Sequence, residues 1–245
     1  MASTSKNHEL IESVKSMKHV PWCEDYERMI SGMLYDSTVQ ELNEGRFRAR
    51  KLMNQYTKHF PDNATFDSLA KDREVMLREL MGKVGKDPFM EPPIYVDYGC
   101  NISIGDRFYA NFKYVLGVRD CFGGRPWPSI IKAHLVYSTV ILDCGIVTIG
   151  DRVMFGPFVS IFAATHETEV QSRRDDVEYA REVKIGDDCW IGGHVVILPG
   201  VTISEGCTVA ANSIVTRDVP AWSVAMGSPA KVVKKVTPVP PPGRT

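Results

Sequence analysis

The side chain in this sequence best suited to acid–base chemistry is His166, which ends the stretch "IFAATH" and is followed at once by the charged run "ETEVQSRRDDVEYAREVK". An imidazole with an ordinary pKa of about 6.5 is largely free base at neutral pH, so it can take a proton from a hydroxyl. Standing where a regular pattern gives way to a loop, His166 would be held on one side and face a ligand on the other. Position alone leaves a surface or structural histidine open as the alternative. His134 and His194 could be imagined beside it as zinc ligands, but the spacing is not that of a ligand set and no metal is expected. His194 is read as structural or as a pocket wall. Asp97, Asn111 and Asp143 bring carboxylate and amide groups that can accept from and donate to the hydroxyls of a polar ligand. A solvent-facing role is the competing reading for each.

The pattern that His166 interrupts has a period of six. Ile185, Ile191, Ile197, Ile203, Val209 and Val215 form consecutive hexads that open on a β-branched aliphatic residue, often followed by glycine or alanine. The same frame occurs at Ile149, Phe155 and Ile161, and more weakly at Tyr98, Ile104 and Ala110. A period of six fits neither a helix nor a simple alternating strand. It is the signature of a parallel β-helix, in which each short strand points its leading aliphatic into a narrow core and the small residue permits the corner. Three hexads close one triangular coil. Two segments break the frame: residues 113–138, with Pro126, Pro128 and the pair Gly123-Gly124, and residues 167–184, which should leave the coil as an active-site loop.

Other elements must cap the open ends of such a coil. Residues 1–20 read as a flexible, weakly helical tail. From 21 to 87 the pattern is helical, with Val39, Leu42, Phe47 and Leu52 at roughly helical spacing. Asp67 reads as a capped helix start before Leu69, Val75, Met76, Leu77 and Leu80. Pro88, Pro92 and Pro93 then end the helical character, so the β-helix is placed at 88–225 and a C-terminal tail at 226–245. The chain has 245 residues, a formal net charge of -1, 44% hydrophobic and 24% charged residues, which is ordinary globular composition. Charge near zero and the lack of a long basic block argue against a nucleic-acid or anionic-membrane partner. No apolar segment is long enough for a membrane span or resembles a signal peptide. The six cysteines lie apart without CxxC spacing, as reduced thiols in the cytoplasm would.

The stretches "MISGMLYDSTVQEL", "RKLMNQYTKHFP", "EPPIYVDYGCNISIGDRFYANF", "VTIGDRVMFGPFVSIFAATH", "VKIGDDCWIGGHVVILPGVTI" and "ANSIVTRDVPAWSVAMGSPAKV" together resemble the maltose/galactoside O-acetyltransferase branch of the hexapeptide-repeat acyltransferases. The resemblance runs from about residue 22 to 236. It implies a mainly β protein, a left-handed parallel β-helix with a small N-terminal helical domain. It also implies transfer of an acetyl group from acetyl-CoA, as co-substrate, to a hydroxyl of a sugar such as maltose, glucose or a galactoside. Homotrimers with sites between subunits are expected. Carried over residue by residue, His166 becomes the general base. Tyr35, Asp36, Asp97 and Asn111 fall on the acceptor side, with Asp143 a weaker candidate beside them. Trp190, Gly193, Ala211, Thr216 and Arg217 fall on CoA contacts. By residue type alone, Trp190 could equally pack between subunits, and Arg217, Lys231, Lys234 and Lys235 could either meet CoA phosphates or form a solvated basic tail. Direct attack with both substrates bound is implied, without a cysteine nucleophile.

Hexapeptide coils serve many activities. A non-sugar or amino-sugar acceptor and a non-catalytic β-helical scaffold therefore stand as alternatives. The sequence departs from the family in two places. Residues 113–138 intervene between "YANF" and "ILD", either as an insertion beside the acceptor pocket or as a gene-model artefact. Glu167 stands where many relatives have proline.

Overall fold

The computed structural model describes residues 1–111 and 139–240. Three parallel sheets wrap one apolar axis. In the order the chain visits them, the first face holds Lys83–Val84, Ile102–Ile104, Val147–Ile149, Val183–Ile185 and Thr202–Ile203. The second holds Phe89–Met90, Tyr109–Ala110, Met154–Phe155, Trp190–Ile191, Thr208–Val209 and Ser223–Met226. The third holds Ile94–Val96, Thr139–Leu142, Ser160–Phe162, Val196–Ile197 and Ile214–Val215.

Coils stack in register, so the hexad leaders form columns. Ile104, Ile149, Ile185 and Ile203 pair successively on the first face. Val96, Ile141, Ile161, Ile197 and Val215 do so on the third. All nine are buried, and full burial of each such aliphatic stabilises the fold by about 1.5–3 kcal/mol. The third-face leader of the first coil is Val96, not the Tyr98 expected from the hexad frame. From Val96 to Ile104, and again from Ile141 to Ile149, the chain takes two residues more than a hexad. The corner between the third and first faces is therefore wider in these coils, and Tyr98 turns outward into a second apolar cluster.

The "IGD" triplets have a physical reason. A Cβ on Gly150 would lie 2.7 Å from the Asp187 nitrogen, and one on Gly186 would lie 2.5 Å from the Glu205 nitrogen, so only glycine lets successive corners touch. The aspartates then bind the coils together: the Asp106 amide donates to Asp151 Oδ1 at 2.7 Å and the Asp151 amide to Asp187 Oδ1 at 2.8 Å. His194 sits at a left-handed corner, with its ring stacked on Phe158 at 4.2 Å.

Helices α1 (His8–Ser13), α2 (Glu24–Ile30), α3 (Gln40–Lys58) and α4 (Phe66–Leu80) cover the first coils. Residues 1–20, expected as a flexible tail, are instead packed on the helical unit. Ile11 and Val14 are buried, Asn7 caps α1, and Lys6 pairs with Glu24 and Glu27. Helix α3 buries Leu42, Ala49, Met53 and Tyr56 along one face, while Phe47 is 70% exposed. Helix α4 begins at Thr65, whose capping box with Ser68 replaces the expected Asp67 cap, and Val75 faces solvent. Arg78 at the end of α4 donates to the carbonyls of Val84 and Gly85, which starts the coil at Lys83 rather than at residue 88. At the other end, Lys231–Lys235 is not a free tail but an antiparallel strand on Ser223–Met226.

The stretch 113–138, expected as an irregular insertion, lies outside the described residues, as does His134. The chain leaves the second face at Ala110 and joins the third at Thr139, in register with both neighbouring coils. No helix among the described residues is long and apolar enough to cross a membrane.

Replacing Gly186 by valine is expected to lower stability by roughly 3 kcal/mol, or to abolish folding. Urea unfolding of Gly186→Val followed by circular dichroism measures this, and a midpoint equal to that of the unmodified protein would contradict the corner packing.

Candidate active site

The widened corner between the third and first faces is where polar side chains collect. In the coil that carries His166, the chain leaves the third face after Phe162 and returns at Val183, and the excursion is structured. Ala164–Thr165 pairs antiparallel with Val177–Ala180, a short helix α5 (Val170–Arg174) spans the turn, and Val177–Ala180 pairs on its other side with Tyr35–Asp36. The expected active-site loop is thus a β-arm, and it ends before Val183 because Lys184 already lies in the coil.

This three-stranded unit brings His166 and Tyr35 together through a residue that the sequence reading missed. Glu178 Oε2 lies 3.5 Å from His166 Nε2, and the Tyr35 hydroxyl donates to Glu178 Oε1. The His166 side chain is 54% exposed and that of Glu178 17%, so the imidazole faces outward from a carboxylate that is largely enclosed. Tyr35 itself is buried, and burial foremost pushes its phenol far above the ordinary range. It is placed to brace Glu178, not to touch an acceptor. Asp36 is exposed and accepts from the amide and hydroxyl of Thr38, which hold its carboxyl below the ordinary value.

Asp97 sits half-buried on the same corner. Burial raises its carboxyl, opposed by the Cys144 thiol at 3.6 Å and by the charges of Arg46 and Arg50, while the Glu178 charge adds to the rise. Beneath it, Asp143 is fully buried, so it is removed from direct contact with any acceptor. Its Oδ1 accepts from the amides of Asp97 and Tyr98, both at 2.9 Å, and its Oδ2 has no hydrogen-bond partner among the described residues. Burial pushes this carboxyl up to about 7. Asn101 joins the layers, accepting from the Tyr26 hydroxyl of α2 at 2.8 Å and donating to the Asp143 carbonyl at 2.7 Å.

The remaining candidates stand elsewhere on the coil. Asn111 follows the second face, its amide bonded to the Phe155 carbonyl at 3.0 Å. Trp190 lies on the outer side of that face, 51% exposed. Gly193 and Ala211 occupy the next corner in successive coils, and Thr216 and Arg217 are exposed on the same edge as the His166 arm, two coils further on. Small corner residues next to an exposed indole fit the apolar arm of a long ligand, and an exposed guanidinium fits a phosphate. No group of three or more His, Cys, Asp or Glu able to hold a metal ion occurs among the described residues.

Comparison with known proteins decides the family. Residues 28–85 match the maltose acetyltransferase hexapeptide capping motif, and residues 182–217 match the bacterial transferase hexapeptide repeats. The galactoside O-acetyltransferase of Escherichia coli K12 is 34% identical over 210 residues, covering 86% of this chain and 88% of that protein. The chain belongs to the hexapeptide-repeat acyltransferase family. The crystal structure of a maltose O-acetyltransferase from Clostridium difficile 630 superposes with a TM-score of 0.73 at 34% identity, covering 88% of this chain and 99% of that one. A galactoside acetyltransferase in complex with coenzyme A gives 0.71 at 31% identity, covering 88% and 92%. The coil is the left-handed parallel β-helix of this family, and the protein is an acetyl-CoA-dependent acetyltransferase acting on a small acceptor.

The buried Asp143 has a consequence for stability. Its carboxyl is raised in the folded state from an ordinary 3.8 to about 7, so the unfolded chain ionises first. Its contribution is fully present below about pH 4, is lost as pH rises towards about 7, and is level above that. Asp143→Asn removes the titration. The stability of this variant relative to the unmodified protein should therefore be on the order of 2 kcal/mol more favourable at pH 8 than at pH 5. Paired urea titrations at the two pH values measure it, and an equal difference at both would contradict a buried, raised carboxyl.

Proposed function

We propose that this acetyltransferase esterifies a hydroxyl of a sugar, with His166 as general base and acetyl-CoA as donor. The observation that carries this reading is the outward-facing imidazole backed by Glu178, which is itself braced by Tyr35, beside the half-buried Asp97. A carboxylate at one ring nitrogen favours the proton there and leaves a lone pair on the other. That lone pair takes the acceptor proton as the oxygen attacks the thioester carbonyl. His166 then returns the proton to the departing CoA sulfur, so the products are an O-acetyl ester and free CoA. Asp97 and the exposed Asp36 are the groups on this corner able to accept from other hydroxyls of a sugar. Supporting the choice of a sugar are relatives named as galactoside and maltose O-acetyltransferases.

CoA would be held by Trp190, Gly193, Ala211, Thr216 and Arg217. Several of these, like Asn111, lie on a corner or face away from His166. That dispersal supports a homotrimer in which one subunit supplies the base and its neighbour the CoA groove and Asn111. The five described cysteines are free thiols, which suits the cytoplasm.

The test is acceptor-dependent CoA release from acetyl-CoA with maltose, glucose and a thiogalactoside. Release is expected with at least one, falling about 10²–10⁴-fold in His166→Ala and about 10–100-fold in Glu178→Gln. Release that survives intact in His166→Ala would remove the base assignment, and release with amino sugars alone would replace the acceptor class.

A further inference from the structure

The residues under Asp97 have a construction that burial alone does not require. Asp143 and Cys144 are adjacent in the chain and grip Asp97 from the coil below it. Asp143 Oδ1 accepts the Asp97 amide, and that of Tyr98, at 2.9 Å. The Cys144 thiol points at Asp97 Oδ2 from 3.6 Å. Both side chains are buried, at 0% and 5% exposure. A carboxylate in an apolar corner is costly, and Asp143 Oδ2 gains no compensating bond among the described residues. Two backbone amides could have been satisfied by an asparagine or serine without that cost. The groups facing Asp143 are Asp97, Tyr98 and Cys100 from the coil above and Tyr26 from α2, while Arg46 and Arg50 act on Asp97 from α3.

We infer that the buried pair Asp143–Cys144 positions Asp97 for acceptor binding. Asp143 fixes the backbone of residues 97–98, Cys144 fixes which carboxylate oxygen points inward, and the other oxygen is left to receive an acceptor hydroxyl. This rests on the reading of Asp97 as an acceptor contact. Neither side chain touches the acceptor, so the pair sets acceptor affinity and leaves the CoA groove unchanged. The thiol remains protonated in this role, because burial pushes it well above its ordinary value.

The experiment measures KM for the acceptor and for acetyl-CoA separately, using maltose, glucose or a thiogalactoside, whichever the unmodified enzyme acetylates. Asp143→Ala is expected to raise the acceptor KM about tenfold, and Cys144→Ala about threefold, with the acetyl-CoA KM unchanged. Asp143→Asn and Cys144→Ser, which keep an acceptor and a donor in place, are expected to restore the acceptor KM to within about twofold. If Asp143→Ala does not fold, the two Cys144 variants carry the test. Equal changes in both KM values, or no change in the acceptor KM, would overturn the positioning role. Asp97→Ala separates the two levels. A raised acceptor KM there with an unchanged one in the alanine variants of the pair overturns only the positioning. An unchanged acceptor KM in Asp97→Ala, or turnover of none of the three sugars by the unmodified enzyme, overturns the acceptor reading and the positioning with it.

Discussion

In-register stacking of short parallel strands is the constraint on which everything else in this protein depends. Backbone ladders fix the distance between coils, and the columns of Ile, Val and Phe fix what fills the axis. A residue added to a face would shift a column out of register, so extra chain must leave at corners. Among the described residues, the corner between the third and first faces takes up that surplus: two residues in each of the first two coils and the β-arm in the third. Polar groups collect there because it is the place where the backbone is not committed to the ladder.

The helical cap turns this corner into a site. Tyr26 reaches Asn101, Arg46 donates to the Tyr98 hydroxyl at 2.5 Å, and Tyr35 reaches Glu178. Each bond joins a helix-domain residue to the coil or its arm across an apolar cluster of tyrosines, Leu42 and Cys144. Cap and coil are therefore coupled at the residues that shape the candidate site. A change in the seating of α2 or of residues 35–36 would move Glu178 and with it His166. Removing the cap would also expose Asp143 and relieve the burial that raises it.

The coil and its interruption were legible because both are local. The hexads from Ile185 to Val215 recur without a break, and a charged run directly after His166 could not continue them. Tyr98 stands off the hexad frame because the widened corner shifts the phase by two, which a period of six does not carry. Phe47 and Val75 read as core by spacing yet face solvent, since helical periodicity identifies a stripe only when most of its positions agree. Asp67 lost the cap to Thr65 because the hydroxyl two positions earlier forms a reciprocal pair with Ser68, a pattern visible in "TFDS" but weaker to the eye than an aspartate. Glu178 had no local signal at all. Its place beside His166 comes from two antiparallel pairings, one to Thr165 through its neighbour Tyr179 and one to Tyr35, and the second crosses from the other end of the chain.

The central claim is that the imidazole at the mouth of the β-arm carries the acceptor proton. Chemical rescue tests it most directly. His166→Gly leaves a space in which free imidazole can stand in for the lost ring. Added imidazole is expected to restore acceptor-dependent CoA release to this variant, saturably and more at pH 8 than at pH 6, while leaving the unmodified enzyme unaffected. A variant that matches the unmodified rate without imidazole would contradict the claim and assign the proton to another group on the corner.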